Sequence, residues 1–220
     1  MPVTTFRLLH DGESLDLDLT AFQSILPSSM TVVGRDGDFC IEVNTQREED
    51  ACAQFHLARE LDRLFFLTGV RVKAEMCRRT VLSEPRFAWS VHGSIPSGTT
   101  PQTWNYALGV QLRLWALACE AVDPLAKIIL LYQIIELSAP TFPEYLDSAR
   151  PPDPLTECKL LRNLIVHTGD VDGRQLRTYC AYLNVAPLML DRTDNAYVEL
   201  LSAKCSFVEQ QAKRVLQNAL

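Results

Sequence analysis

Apolar positions change their period about halfway along this chain, and the change divides it. In the first part the period is mostly two. Thr4 to Leu9 reads as a short strand, and Leu15, Leu17 and Leu19 alternate with Asp16 and Asp18, whose carboxylates would form the solvated face of a second. Met30 to Val33 and Phe39 to Val43 flank Gly34-Arg35-Asp36-Gly37, the pattern of a hairpin. Asp36-Gly37-Asp38 opens like a calcium loop, but the later ligand positions are wrong, so it is read as a turn. Glu48 to Thr68 has helical spacing, with Cys52, Phe55, Leu61, Leu64 and Phe65 largely on one side and Gly69 as a stop. Val70 to Leu82 and Phe87 to Val91 return to strand-like residues across a Glu84-Pro85 turn. The expected fold of residues 1–95 is α+β, a small antiparallel sheet with one substantial helix.

Gly93 to Thr103 is rich in Gly, Ser, Thr and Pro and reads as a linker. Beyond it, residues 104–220 carry helical patterning only, the signature of an all-α helical bundle. Trp104 to Ala121 and Leu125 to Ser138 are predicted helices, the second opened by Asp123-Pro124. A proline-rich loop follows, with room for a short helix at Glu144 to Ser148. Asp153-Pro154 supplies an N-cap and a first-turn proline for a helix ending near His167. Two more helices are expected, from Gly173 to Leu183 and from about Asp194 to the end. In the last one, Val198, Leu201, Cys205, Val208, Ala212 and Val215 are spaced by threes and fours, which suits packing within the bundle or a seam between subunits.

Composition narrows the class. The chain has 220 residues, 47% of them hydrophobic and 22% charged, which is enough to build a packed core. A net charge of −6 argues against a chain that coats nucleic acid, while leaving room for a local basic groove. The seven cysteines are scattered and never in a C-x-x-C arrangement. Most are read as buried thiols of a reducing, cytoplasmic setting. Ala107 to Ala139 is strongly apolar, but Gln111, Arg113, Glu120, Asp123 and Lys127 interrupt it and Pro124 splits it. Neither half reaches the roughly 20 clean apolar residues of a membrane span. The N-terminus lacks the basic-then-apolar order of a secretory signal.

Candidate chemistry concentrates in Arg162-Asn163-Leu164-Ile165-Val166-His167. At about 100° per residue, Cys158, Leu160, Leu161, Leu164 and Ile165 cover one side of that helix. Lys159, Arg162, Asn163 and His167 fall on the other, with Asn163 and His167 stacked four apart. A histidine in the last turn can exchange a proton near neutral pH, and an arginine offers a planar fork for phosphate. Together they suit RNA cleavage without a metal, in which the ribose 2′-hydroxyl attacks, His167 moves the proton and Arg162 stabilises charge on the phosphate. The preceding helix is apolar almost all round yet carries Glu136, with Tyr132 one turn before it. A buried carboxylate needs a partner, and Arg162 is the candidate. Lys159, Arg174 and Arg177 would form a local basic patch. No two of His10, His56, His92 and His167 have metal-ligand spacing, so neither a metal nor another cofactor is expected. Trp104, Tyr106 and Trp115 read as core residues of the bundle rather than base-stacking ones.

The Tyr132-Gln133-x-x-Glu136 segment, the loop after it and the Arg162-Asn163-x-x-x-His167 helix end resemble the HEPN superfamily, nearest in flavour to its abortive-infection-like and ApeA-like members. The resemblance spans roughly Trp104 to Leu220. It implies a helical bundle that forms a homodimer, with two Arg/His motifs in one cleft. It further implies a metal-independent endoribonuclease of RNA processing, phage defence or a toxin–antitoxin pair. Arg162 and His167 would be catalytic, Asn163 and Glu136 would position them, and Lys159, Tyr132, Arg174 and Arg177 would bind substrate. Family members regulated by adenylylation carry a tyrosine two residues after the histidine, where this chain has Gly169. The alternative from the same resemblance is a non-catalytic accessory protein that binds RNA, a nucleotide, an antitoxin or another protein partner.

Overall fold

The structure, a computed structural model, describes residues 3–9, 16–35, 38–44, 50–77, 92–138, 141–166, 173–185 and 195–220. The chain forms two compact units, residues 1–105 and 106–220.

The first unit is built on a four-stranded antiparallel sheet in the order β3-β4-β1-β5. Its strands are β1 (Val3–Leu9), β3 (Met30–Arg35), β4 (Asp38–Asn44) and β5 (Lys73–Met76). A separate two-residue parallel pairing joins β2 (Asp16–Leu17) to β6 (His92–Gly93). Phe6 in the central strand pairs in register with Ile41 on one side and Met76 on the other. Phe6, Leu8, Ile41 and Val43 turn inward, as the period of two requires. The hairpin between β3 and β4 forms, with Arg35 opposite Asp38, so its connection spans two residues rather than four.

Two departures from the sequence reading have clear causes. The alternating Leu15-to-Leu19 stretch was expected to be a strand, but extended structure stops at Leu17 and helix α1 (Leu19–Ile25) begins. Asp18 decides this, because its carboxylate accepts hydrogen bonds from the backbone N–H of Thr20 and Ala21 at 2.9 and 3.0 Å. It is therefore a helix cap rather than a surface strand residue. The second departure concerns helix α2 (Asp50–Thr68), whose inward face carries Ala53, Leu57, Leu61 and Leu64, while Cys52 and Phe55 are exposed. The core of this unit joins that face to Phe22, Ile25 and Leu26 and to the inner side of the sheet. Gly69 ends α2 with a φ of 73°, a left-handed conformation that favours glycine.

The Gly/Ser/Thr/Pro-rich stretch read as a linker is held to α2. Arg63 donates to the Thr100 carbonyl, Trp104 donates from its indole N–H to Glu60, and Ile95 packs on the core. Phe87 to Val91, the Glu84-Pro85 turn and His10 lie outside the described residues.

Helices α3 (Tyr106–Glu120), α4 (Pro124–Ser138), α5 (Pro154–Val166), α6 (Arg174–Tyr182) and α7 (Asn195–Ala219) make up the second unit. Both Asp-Pro starts work as read. Asp123 accepts from Leu125 N at 3.0 Å, and Asp153 accepts from Leu155 N at 3.0 Å and Thr156 N at 3.3 Å. Helix α4 packs against α3, α5 and α7, and buries Leu125, Ile128, Leu131, Tyr132, Ile134 and Ile135. Gln111, almost fully buried on α3, ties the two helices by donating to the Ile134 carbonyl at 2.8 Å. Leu201, Val208 and Ala212 of the expected α7 seam are buried within this unit, joined by Tyr197, Gln211 and Leu216. No helix forms at Glu144 to Ser148. That loop is instead pinned by the Tyr145 hydroxyl, which donates to the Arg150 carbonyl at 2.7 Å. Among the described residues no helix is long and apolar enough to cross a membrane.

Candidate functional site

Helix α5 is amphipathic, and its buried side (Cys158, Leu160, Leu161, Leu164 and Ile165) is the one predicted. Anchoring that side leaves Lys159, Arg162 and Asn163 half-buried along the opposite flank. Lys159 and Asn163, one turn apart, line a cleft of about 490 Å³ together with Arg174 at the start of α6. Glu144, Leu146 and Gln175 complete much of its wall. Gln175 also accepts from the Tyr145 backbone N–H at 3.2 Å, which fixes the loop over the start of α6.

Arg162 joins this group through its neighbour: Nη1 donates to the Asn163 side-chain oxygen at 3.0 Å. Its guanidinium lies 5.9 Å from the centroid of the Tyr132 ring. Tyr132 is itself almost fully buried, with Phe142 beside it at 6.1 Å, and Lys159 Nζ lies 5.3 Å from the Phe142 ring. Arg162 and Lys159 thus flank the adjacent Tyr132 and Phe142 rings, one cation on each.

Glu136 departs from its expected place. It is exposed, in the polar strip that α4 leaves uncovered with Gln133, so burial does not demand a counter-charge. Its carboxylate accepts a hydrogen bond from the Tyr132 hydroxyl at 3.3 Å. Among the described residues Arg162 has no ion-pair partner, and the proposed Glu136–Arg162 bridge is replaced by Tyr132 standing between them. The phenol feels both. Its pKa is pushed up to about 12, first by burial and then by the Glu136 charge and hydrogen bond, with Arg162 pulling the other way. Arg177 is exposed on α6, outside the cleft lining, and His167 lies outside the described residues.

Sequence reasoning missed one cluster on α5. Glu157 is buried, and its Oε1 accepts from both the Tyr179 hydroxyl and Lys204 Nζ, each at 2.9 Å. Tyr179 is fully buried, and burial together with the Glu157 charge drives its pKa far up. This cluster joins α5 to α6 and α7 and so holds the cleft's two walls together. A signal was available, because Glu157 falls four and seven residues before Leu161 and Leu164, on the apolar stripe itself.

Among the described residues no group of three or more His, Cys, Asp or Glu side chains is placed to hold a metal ion. No family model, curated protein or solved structure matches the chain.

Proposed function

We propose that the α5–α6 cleft binds the phosphodiester backbone of RNA and that the chain is a metal-independent endoribonuclease of HEPN type. The observation that carries this reading is the gathering of Lys159, Asn163 and Arg174 in one cleft, with Arg162 tied to Asn163. Two cations and an amide in a chain of net charge −6 are the local basic groove that phosphate binding requires. In the reaction, the ribose 2′-oxygen attacks the adjacent phosphorus and gives its proton to His167. The bond to the 5′-oxygen breaks, that oxygen takes up the proton carried by His167, and a 2′,3′-cyclic phosphate and a 5′-hydroxyl remain. Arg162 stabilises the charge that builds on the phosphoryl oxygens. A homodimer would place two such helix ends together.

The test is cleavage of total RNA by purified protein with chelator present. The wild type should cut and leave cyclic-phosphate ends, and His167→Ala and Arg162→Ala should each cost about a hundredfold or more. Equal cleavage by wild type and His167→Ala would remove the enzyme reading.

One observation favours a second reading. The Arg162 guanidinium is already engaged by Asn163 and Tyr132, as a structural residue of a non-catalytic accessory protein would be. In that case Arg162→Ala lowers thermal stability or changes the oligomeric state, and no variant changes RNA cleavage.

A further inference from the structure

Residues 94–104 belong to the first unit yet are tied to it at few points. No residue among them is fully buried. The hydrogen bonds from Thr99 to the Pro96 carbonyl and from Gln102 to the Thr103 carbonyl stay inside the segment. Among the described residues, its ties to the rest are Ile95 on the core and three contacts with α2. The Thr100 carbonyl accepts from Arg63, the Trp104 indole N–H donates to Glu60, and the Trp104 ring centroid lies 4.9 Å from the Arg59 guanidinium. All three contacts fall on one turn of the helix.

That turn is incompletely satisfied. Glu60 and Arg63 are 1% and 2% exposed. Glu60 Oε2 has its ion pair with Arg63 at 3.7 Å but no hydrogen bond, and Arg59 Nε and Arg63 Nε are buried without a hydrogen-bond partner. These are three of the five such atoms among the described residues, so they concentrate where the segment docks. Docking a chain over buried charges strips them of water and returns only part of what was lost. The receiving side does not depend on the segment for its place, because Arg63 also donates to the Ile25 carbonyl at 3.3 Å.

We propose that residues 94–104 form a releasable strap, fastened to the Arg59-Glu60-Arg63 turn and opening as one piece while the sheet and α2 stay folded. Opening gives up the Ile95 contact and two hydrogen bonds to α2, and hydrates the three orphaned atoms. Few buried apolar contacts and an exposed backbone are the marks of a segment that opens locally, well below the cost of global unfolding. Once open, a stretch rich in Gly, Ser, Thr and Pro behaves as a flexible tether. The strap thus converts between part of the first unit and free connecting chain ahead of Tyr106. It is independent of the α5–α6 cleft and of the RNA-cleavage reading.

Native-state proteolysis of the full chain with thermolysin across a urea series tests this, with cut sites located by mass spectrometry and rates taken relative to the unfolded chain. The strap should be cut at Ile95 before α2 is cut anywhere. Its rate should rise only weakly with urea, since little surface is exposed by a local opening, while cuts in α2 should rise steeply. Trp104→Phe keeps the ring and removes the N–H that reaches Glu60, so it should speed the strap cut by about tenfold or more. Should Trp104→Phe fail to fold, Ile95→Val serves in its place, with an expected gain of about two- to tenfold. The proposal is overturned if the strap is cut only with the urea dependence of α2. It is equally overturned if folded Trp104→Phe or Ile95→Val is cut at the wild-type rate, because a site open without unfastening would not respond to its anchors.

Discussion

Arg162 and Asn163 are neighbours in sequence whose side chains bind each other, Nη1 to Oδ1 at 3.0 Å. Adjacent helical positions diverge by about 100°, so this bond bridges two flanks of α5. On one flank the guanidinium reaches the Tyr132 ring, and on the other Asn163 lines the cleft with Lys159 and Arg174. The amide oxygen is committed to the arginine, and the residue that holds it also lines the cleft.

Asn163→Ala should therefore release Arg162 as well as remove a side chain that lines the cleft. Loss of one charge-assisted hydrogen bond corresponds to about 1.5–3 kcal/mol, so on the proposed RNA-binding reading RNA retention should fall by about tenfold or more. Filter binding checks this, with the melting temperature as the control for folding. Wild-type retention by a folded Asn163→Ala would show that the amide does not hold the arginine for binding.

Tyr132 sets a pH dependence. Its folded pKa, about 12, lies above the unfolded value of 10. The folded state therefore binds the phenolic proton more tightly than the unfolded state does. That stabilisation is complete below pH 10 and is lost as pH rises from 10 through about 12. Tyr132→Phe should flatten this part of the stability profile, measured by urea denaturation at a series of alkaline pH values. An unchanged slope in the variant would contradict the burial of the phenol, and with it the hydroxyl's place beside Glu136.

Glu157 should matter to stability before it matters to chemistry. Glu157→Ala leaves the fully buried Tyr179 hydroxyl without its acceptor and Lys204 without its counter-charge. An unsatisfied buried polar group costs about 1–3 kcal/mol. Chemical denaturation should show a loss in that range, and the double variant Glu157→Ala/Tyr179→Phe should recover part of it. Failure of the second change to recover any stability would mean the hydroxyl is not the orphaned group.

Cysteine reactivity should divide by burial. Cys158 is fully buried, and its thiol is pushed up to about 12, chiefly by desolvation. Cys180 is also fully buried and shifted upward, while Cys52 and Cys119 are exposed. Alkylation of native protein followed by peptide mass spectrometry should label Cys52 and Cys119 first, with Cys158 and Cys180 reacting only after unfolding. Early labelling of Cys158 would contradict the packing of α5.

The local signals were read where their cause is local. Asp123-Pro124 and Asp153-Pro154 open α4 and α5 because a short carboxylate satisfies the first N–H groups and proline needs none there. The buried side of α5 followed from spacing because its apolar residues are consecutive on the wheel. On α2 the same reasoning placed Leu61 and Leu64 correctly but took Cys52 and Phe55 as part of the buried side: Phe55 and Leu57 are both apolar, and only the sheet beneath decides which of them it covers. Asp18 illustrates the competition directly, since alternation suggested a strand but two backbone N–H groups within three residues captured its side chain.

By itself, then, the sequence determined the order and ends of most elements and the polar flank of α5, because capping and periodicity act over a few residues. Tertiary structure decided what that flank faces. Tyr132 comes between Glu136 and Arg162, Arg174 joins Lys159 and Asn163 across the cleft, and Glu157 meets Tyr179 and Lys204. Partners brought together from different helices depend on how those helices pack, and no spacing within one helix encodes that.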